Sequence, residues 1–471
     1  MRIELPAAPA PRRRAHPHDQ LQSLRAQLSG ELITSAHPDF DAARRLRFIN
    51  IDRRPLAIVR ASGAQDVAAA VRYAGTHNLP LAVRSGGHSL AYHSVVDDGV
   101  VVDLSGMKRV HIDPVARTAR VQPGATSGDL AGAAHAHGLA LSTGDTHSVG
   151  MGGLTTGGGI GLMVRQHGLA SDNLLAAHVV TADGAIVTAS ADEHPDLFWA
   201  IRGGGGNVGI VTEFTYRLAP VAQILGGMLF LPATREVIRG YLEYALAAPD
   251  ELTTIADVMR APPAPFVPAE RVGELVLSIL VCWTGDEADG QRALAPLRAL
   301  AAPVAEAIGV MPYPAIYDLT AEAAGPHGKA IRSMFADQFS DAALDAVLAA
   351  MERASSPYSV VEFRALGGAL ARVGAAETAF AHRERRYFFA IIGLWFDAAE
   401  DPAVHNAWTE ALWRIVRPEG AGVYVNFLED EGAERVRDAY PPATFTRLAE
   451  VKHRYDPRNL FRLNQNVPPR A

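Results

Sequence analysis

The sequence predicts a two-lobed protein of mixed helix and strand, and three observations carry that expectation. At 471 residues the chain is longer than one hydrophobic core usually organises. Its first half is punctuated by two glycine-rich stretches, Leu81 to Asp103 and Ser142 to Gly168. Beyond Pro220, a natural boundary, β-rich segments alternate with long helices, the pattern of an α/β or α+β lobe.

Asp19 to Leu28 has helical spacing, and Leu32-Ile33 begins a short segment after it. Ala57 to Arg60 reads as a strand, and Gln65 to His77 as an amphipathic helix with Val67, Ala70, Val71 and Ala74 on its inner face. Leu81 to Val83 is a buried strand, Val95 to Leu104 a second β-rich run, and Thr118 to Val121 another strand. A helix from about Ser127 to His137 ends at Gly138, a suitable C-cap. Ala177 to Ser190 reads as a hairpin about Asp183-Gly184, a dipeptide that favours the type I′ turn. A short helix, Pro195 to Ile201, leads through Gly203 to Gly206 into a strand from Val208 to Leu218. In the second half Leu225 to Leu231, Leu252 to Met259, Leu275 to Trp283, Ser359 to Ala365 and Tyr387 to Phe396 have β character. The helices between them are Thr234 to Leu246, Asp286 to Leu300, Asp341 to Ala354 and Asp401 to Val416. Pro262 to Pro265 is a loop.

Composition narrows the function. No run approaches the roughly 18–20 apolar residues of a membrane span. The net charge is −7 and no one-sided basic face is evident, so neither a membrane nor a nucleic acid is expected as partner. Cys282 is the one cysteine, set in an apolar run and read as a core thiol. The opening residues, with Arg12 to Arg14 and no apolar stretch after them, do not form a secretory signal and read as a disordered lead-in to a cytoplasmic protein. The 17 histidines include no metal-binding spacing, and His135 and His137 stand on different faces of their helix, so no metal is expected. Gly204 to Gly209 matches G-x-G-x-x-G, but a helix precedes it and a strand follows, the reverse of a dinucleotide fingerprint.

Chemistry concentrates in the two glycine-rich stretches. In Arg84-Ser85-Gly86-Gly87-His88-Ser89 the adjacent glycines allow close backbone approach, and successive N–H groups can make a concavity for phosphate oxygens. His88 stands at its tip. The second stretch has glycine at 144, 150, 152, 153, 157, 158, 159, 161 and 168, a density that argues against regular helix or strand and for backbone wrapped around a large polyanion.

Together these stretches resemble the flavin-binding domain of the vanillyl-alcohol-oxidase superfamily, in its berberine-bridge-enzyme-like branch. The resemblance returns in Tyr424-Val425-Asn426-Phe427 and in Lys452 to Phe461. It implies an α+β, two-lobed FAD-binding PCMH-type fold with an antiparallel-sheet substrate domain covered by helices. Residues 1–49 would form a tail and first helix, 50–220 the FAD-binding domain, 221–420 the substrate domain, and 421–471 a segment returning to the FAD domain. It implies FAD joined covalently through its 8α carbon to His88. Cofactor contacts are expected from Arg84, Ser85, Gly86, Gly87, Ser89, Thr146, Val149, Gly150, Gly152, Gly153, Gly158, Gly159, Gly161, Asn173, Val211 and Asn426. Thr146 occupies the place of the cysteine that forms a second flavin link in some members, so this chain resembles the single-link bacterial ones. Val149 matches the position that controls oxygen access.

Many family oxidases use tyrosine as base at the last position of Y-x-N-Y, where this chain has Phe427. Glu362 and Arg364 lie two apart on a predicted strand and share a face. They resemble the substrate-facing pair of bacterial natural-product flavoenzymes, with Glu362 as replacement base; a surface salt bridge is the competing reading. Tyr424 completes the catalytic candidates, and Tyr92 and His382 are expected to line the substrate pocket. The implied activity is oxidation of a small or medium alcohol, amine or polyketide-like substrate, with hydride passing to flavin N5 and dioxygen reoxidising it to give peroxide. An oxygenase or cyclase of secondary metabolism, and a non-catalytic flavin binder, are the alternatives. The expected partners are a small-molecule substrate and dioxygen, with the chain a monomer or homodimer.

Overall fold

The computed structural model describes residues 17 to 470, so the expected N-terminal tail lies outside the described residues. Three sheets organise the chain. The first orders Glu31–Ile33, Ala57–Arg60, Val100–Asp103 and Leu81–Arg84 side by side, with the last three parallel. Its strands are apolar and fully buried at Ile58, Val59, Ala82 and Val100 to Val102. They pack against the helix Ala64–His77 through Val67, Ala70, Val71 and Ala74, the face expected from its spacing. The second sheet is antiparallel, in the order Val110–Asp113, Thr118–Val121, Ile210–Arg217, Leu174–Val180, Ile186–Ser190.

The third sheet has seven strands, all antiparallel: Ala305–Pro312, Gln223–Pro232, Leu275–Trp283, Leu252–Arg260, Val360–Ala365, Tyr387–Trp395 and Gly328–Ala336. The helices Arg235–Ala247, Glu287–Arg298, Asp341–Glu352 and Pro402–Val416 cover its outer face, where Tyr241, Leu294, Val347 and Trp413 share one core with Leu229, Val258, Phe363 and Phe389. Its inner face packs on the first half, with Ile224, Ile255, Leu280 and Cys282 against Ala131, Leu162 and Met163. The two-lobed α+β architecture is therefore the observed one, and alternation of strand side chains is what lets one sheet serve both cores. After Val423 the chain crosses back: Leu428, Val436 and Leu448 join the core of the second sheet, and Leu460 and Phe461 that of the first.

Several local expectations are corrected. The second glycine-rich stretch contains two short helices, Met151–Thr156 and Val164–His167. A Cβ at Gly152 would stand 3.1 Å from Pro123 and Ser85, so close packing there outweighs the low helix propensity of glycine. The turn at Asp183-Gly184 is not type I′, which needs positive φ at both central residues, because only Gly184 has it (φ 79°). The Asp183 carboxylate instead accepts the Ala185 N–H and the Thr181 hydroxyl. Strand structure in Val95 to Leu104 is limited to Val100–Asp103, and the helix after Thr126 ends at His135. The strands Val110–Asp113, Ala305–Pro312 and Gly328–Ala336 were not expected, nor the helices Ala433–Ala439 and Pro442–Tyr455. No helix among the described residues is long and apolar enough to cross a membrane.

Candidate active site

A cavity of about 370 Å³ runs between the first two sheets and the inner face of the third. Both glycine-rich stretches border it, as do Ile210, Val211, Phe461 and Asn464 on one side and Ile331, Arg364, Tyr424 and Phe427 on another. The loop after Leu81–Arg84 supplies Ser85, Gly86, Gly87, His88 and Ser89. Gly86 and Gly150 pack backbone to backbone: a Cβ on Gly86 would fall 2.4 Å from the Gly150 nitrogen, so neither position admits a side chain. Gly87 has φ 73°, which turns the following N–H groups inward. The N–H groups of Gly86, Gly87, His88 and Ser89 donate to no group among the described residues. Four such donors in sequence, on a loop whose first position admits no side chain, form a ready anion cradle.

His88 lies behind this cradle with its ring against Arg47 Nη1 and its Nε2 3.1 Å from Ser148 Oγ. Burial, then the positive charge of Arg47, lowers its pKa to about 3, so the imidazole is neutral at physiological pH, with a lone pair facing Arg47 Nη1. Thr146 borders the cavity and donates its hydroxyl to the Asp145 carboxylate at 3.0 Å. Val149, Gly150, Gly152, Gly153 and Gly159 also line it, and a Cβ at Gly153 would meet open space. Asn464 faces it with an Oδ1 that has no partner among the described residues. An acceptor-poor cradle, an unpaired amide oxygen and an apolar wall of Leu81, Val83, Leu104 and Ile210 fit a long dinucleotide carrying a flat ring.

The far end of the cavity is polar. Arg364 Nε and Nη2 bind Glu362 Oε1 and Oε2 at 2.6 and 2.9 Å, and Nη2 also contacts the Asp145 carboxylate. The pair is buried, which removes the surface-salt-bridge reading. The Arg364 guanidinium sits 5.4 Å from the ring centre of Phe427 and 5.6 Å from that of Phe388. Burial pushes the Glu362 carboxyl up, and Arg364 pulls it back. Tyr424 is buried beside it, its oxygen accepting the Gly159 N–H at 2.8 Å and the Asn426 amide at 2.9 Å.

Seven expected site residues stand apart from this lining; Glu362 is one, reaching the cavity only through Arg364, which borders it. Arg84 is in a buried ion pair with Asp103 at 2.8 Å that fixes the strand before the cradle. Gly158 and Gly161 pack against Phe380 and the Thr143 carbonyl. Asn173 donates to the His167 and Leu169 carbonyls and shapes the turn after Gly168. Tyr92 lies under Lys329 Nζ, 4.3 Å from its ring centre, and edge-on to Phe48. His382 borders a second hollow with Arg385, Arg437 and Asp438, its Nε2 2.8 Å from the Asp438 carbonyl. Sequence reasoning missed Arg47, Asp145 and Asp257. Asp257 pairs across the sheet with Glu362, and the one signal for it was an acid between Ala256 and Val258 in the middle of a strand. Among the described residues no group of three or more His, Cys, Asp or Glu is placed to hold a metal ion.

Residues 55–190 match the FAD binding domain family, and residues 423–468 the family of berberine and berberine-like proteins. The chain is 34% identical over 456 residues to (R)-6-hydroxynicotine oxidase of Paenarthrobacter nicotinovorans, covering 94% of this chain and 97% of that protein. It is 30% identical over 455 residues to an FAD-linked oxidoreductase of Bacillus subtilis, YgaK, at 94% and 98% coverage. The crystal structure of 6-hydroxy-D-nicotine oxidase from Arthrobacter nicotinovorans superposes with a TM-score of 0.83 at 30% identity, covering 94% of this chain and 98% of that one. The chain belongs to the berberine-bridge-enzyme-like FAD-linked oxidoreductases. It is an oxidoreductase, and FAD is its cofactor.

Proposed function

We propose that this protein is an oxidase carrying FAD on one covalent bond from His88 and oxidising a small or medium organic substrate, an alcohol, amine or polyketide-like molecule. The observation that carries the reading is the continuity of the cavity from the cradle at Gly86 to His88, past Val149, to Arg364 and Phe427. When bound, FAD supplies a hydride acceptor at N5 and passes the electrons to dioxygen, giving hydrogen peroxide.

The chain's own residues bind, orient and move a proton. The cradle N–H groups would hold the pyrophosphate of FAD, and the neutral His88 ring would be the group that carries the covalent bond. Thr146, lacking a thiol, leaves that bond single. Val149 keeps an apolar surface beside the ring, open to dioxygen. Arg364, held by Glu362 and Asp145, orients an oxygen or nitrogen of the substrate under the roof formed by the third sheet. The acid cluster around Arg364 takes the substrate's O–H or N–H proton, with Glu362 its member foreseen from sequence. Phe427 supplies an apolar ring where other members place a base.

The test is anaerobic mixing of the yellow protein with a panel of primary and secondary alcohols, secondary amines and polyphenols. At least one should bleach the flavin, and admitted air should restore the colour with stoichiometric peroxide. A flavin that no member of the panel bleaches would contradict the reading.

A further inference from the structure

Glu362 has both carboxylate oxygens occupied by Arg364, so neither is free to receive a proton without breaking a charged hydrogen bond. The residue directly across the sheet from it, Asp257, is in a different position. Its Oδ1 is buried with no hydrogen-bond partner among the described residues. The side chain as a whole is only half-buried. Cross-strand partners project from the same face. Ser278, paired with Asp257 on its other side, is fully buried, and its hydroxyl is also without a partner among the described residues. A row of three polar side chains, Ser278, Asp257 and Glu362, thus crosses the inner sheet face, and only its Glu362 end is neutralised, by Arg364.

The charged groups facing Asp257 decide its state. Glu362 and Arg364 come from the neighbouring strand, Asp145 from the second glycine-rich stretch, and the Tyr241 hydroxyl from the helix on the far side. Three carboxyls thus face one arginine, and that arginine touches two of them, Glu362 and Asp145. Two neighbouring carboxyls in a desolvated site do not both ionise at neutral pH. Burial and then the charge on Glu362 push the Asp257 carboxyl well above the ordinary aspartate range.

We propose that Asp257 and Glu362 form a carboxyl pair that shares one proton, with Asp257 the member that binds and releases it, and that this pair is the reservoir for the proton leaving the substrate. Arg364 pins Glu362 as the ionised partner; Glu362 positions the proton on Asp257. The origin of that proton rests on the oxidase reading above, but the pair itself can be read without any substrate. In the fraction of molecules whose pair has lost its proton, Asp257 accepts one as the substrate's O–H or N–H bond breaks and then releases it to solvent, so flavin reduction should quicken as pH rises through the pair's titration.

The test is a pH titration of the FAD-loaded enzyme followed by infrared difference spectroscopy of the carboxylic-acid C=O absorption. The wild type should show an acid absorption that disappears on titration well above the ordinary aspartate range, and Asp257→Asn should lack it. Glu362→Gln should keep it and titrate at lower pH, because it removes the adjacent negative charge and frees Arg364. That downward shift is a signature a merely structural aspartate would not give, and it decides the matter if Asp257→Asn does not fold. An absorption that survives in Asp257→Asn, or a titration unmoved in Glu362→Gln, would overturn the pair. An enzyme that shows the expected titration while no alcohol or amine reduces its flavin would uphold the pair and refute the oxidase reading.

Discussion

Arg383 closes a two-pronged ion pair on Asp172, with Nη1 to Oδ2 and Nη2 to Oδ1 both at 2.7 Å, across 211 residues of sequence. Both side chains are buried, and Asp172 Oδ2 also accepts the Leu169 N–H. The pair therefore ties the turn behind the glycine-rich stretch to the segment between Val360–Ala365 and Tyr387–Trp395. Removing one member of a buried pair leaves an unpaired charge and costs about 3–5 kcal/mol. Arg383→Met should lower the unfolding midpoint in urea accordingly, and Asp172→Asn with Arg383→Met should recover part of the loss.

Tyr424 offers a second prediction. Its oxygen is the acceptor for the Gly159 N–H and the Asn426 amide, and both donors border the cavity. Tyr424→Phe leaves the buried Gly159 N–H unpaired, at about 1–3 kcal/mol, while the half-buried Asn426 amide keeps the Leu154 carbonyl. The expected result is a lower thermal midpoint and a changed visible flavin spectrum in the loaded protein. Asn426→Ala, which keeps the phenol, should be milder.

Stability should depend on Asp66 at low pH. Its carboxylate accepts N–H groups from Ser29, Gly30 and Ser62 at 2.8–2.9 Å and the Ser62 hydroxyl at 2.7 Å. Burial raises the pKa of this group, and the four hydrogen bonds more than reverse that, so its folded pKa lies below the ordinary value. The unfolded chain therefore binds more protons near that value, and the stabilisation is present above about pH 4 and lost as pH falls through the folded pKa. Asp66→Asn should cost about 1.5–3 kcal/mol at neutral pH. The gap from wild type should close below about pH 4, as measured by urea unfolding across that range.

Cys282 is fully buried, and its pKa is pushed up to about 12 by burial. The thiolate is the reactive form, so the native protein should not react with a thiol reagent at neutral pH and should react fully once unfolded. Rapid labelling of the native protein would place this strand on an exposed edge and contradict the sheet order.

What was legible in the sequence was whatever depended on local pattern. Ala57–Arg60 and Leu275–Trp283 are strands at the expected residues because each is a mostly apolar run that both neighbours bury, and Thr118–Val121 because it alternates, with Ala119 and Val121 inward and Arg120 out. Ala305–Pro312 was not visible because it is an edge strand, paired on one side only, with exposed Glu306 and Ala307 breaking its apolar pattern. Gly328–Ala336 carries Lys329 and Arg332, and these charges are matched by Glu429 and, for Arg332, also by Glu410 and Glu431, all distant in sequence. The pair Glu362 and Arg364 could be read because both lie on one strand. Asp145 and Asp257 could not, because only the packing of three separate segments brings them to the same arginine. Asn173 and His382 show the converse: a family position can be held by backbone hydrogen bonds away from the cavity.

The central claim, FAD held by a single bond at His88, is tested most directly by the intact mass of the protein after acid denaturation and removal of free flavin. The wild type should carry the mass of one FAD, and peptide mapping should place it on the fragment containing His88. His88→Ala should have the mass of the polypeptide alone. A wild-type chain that releases all its FAD on denaturation, or a flavin mapped to any other residue, would contradict the account.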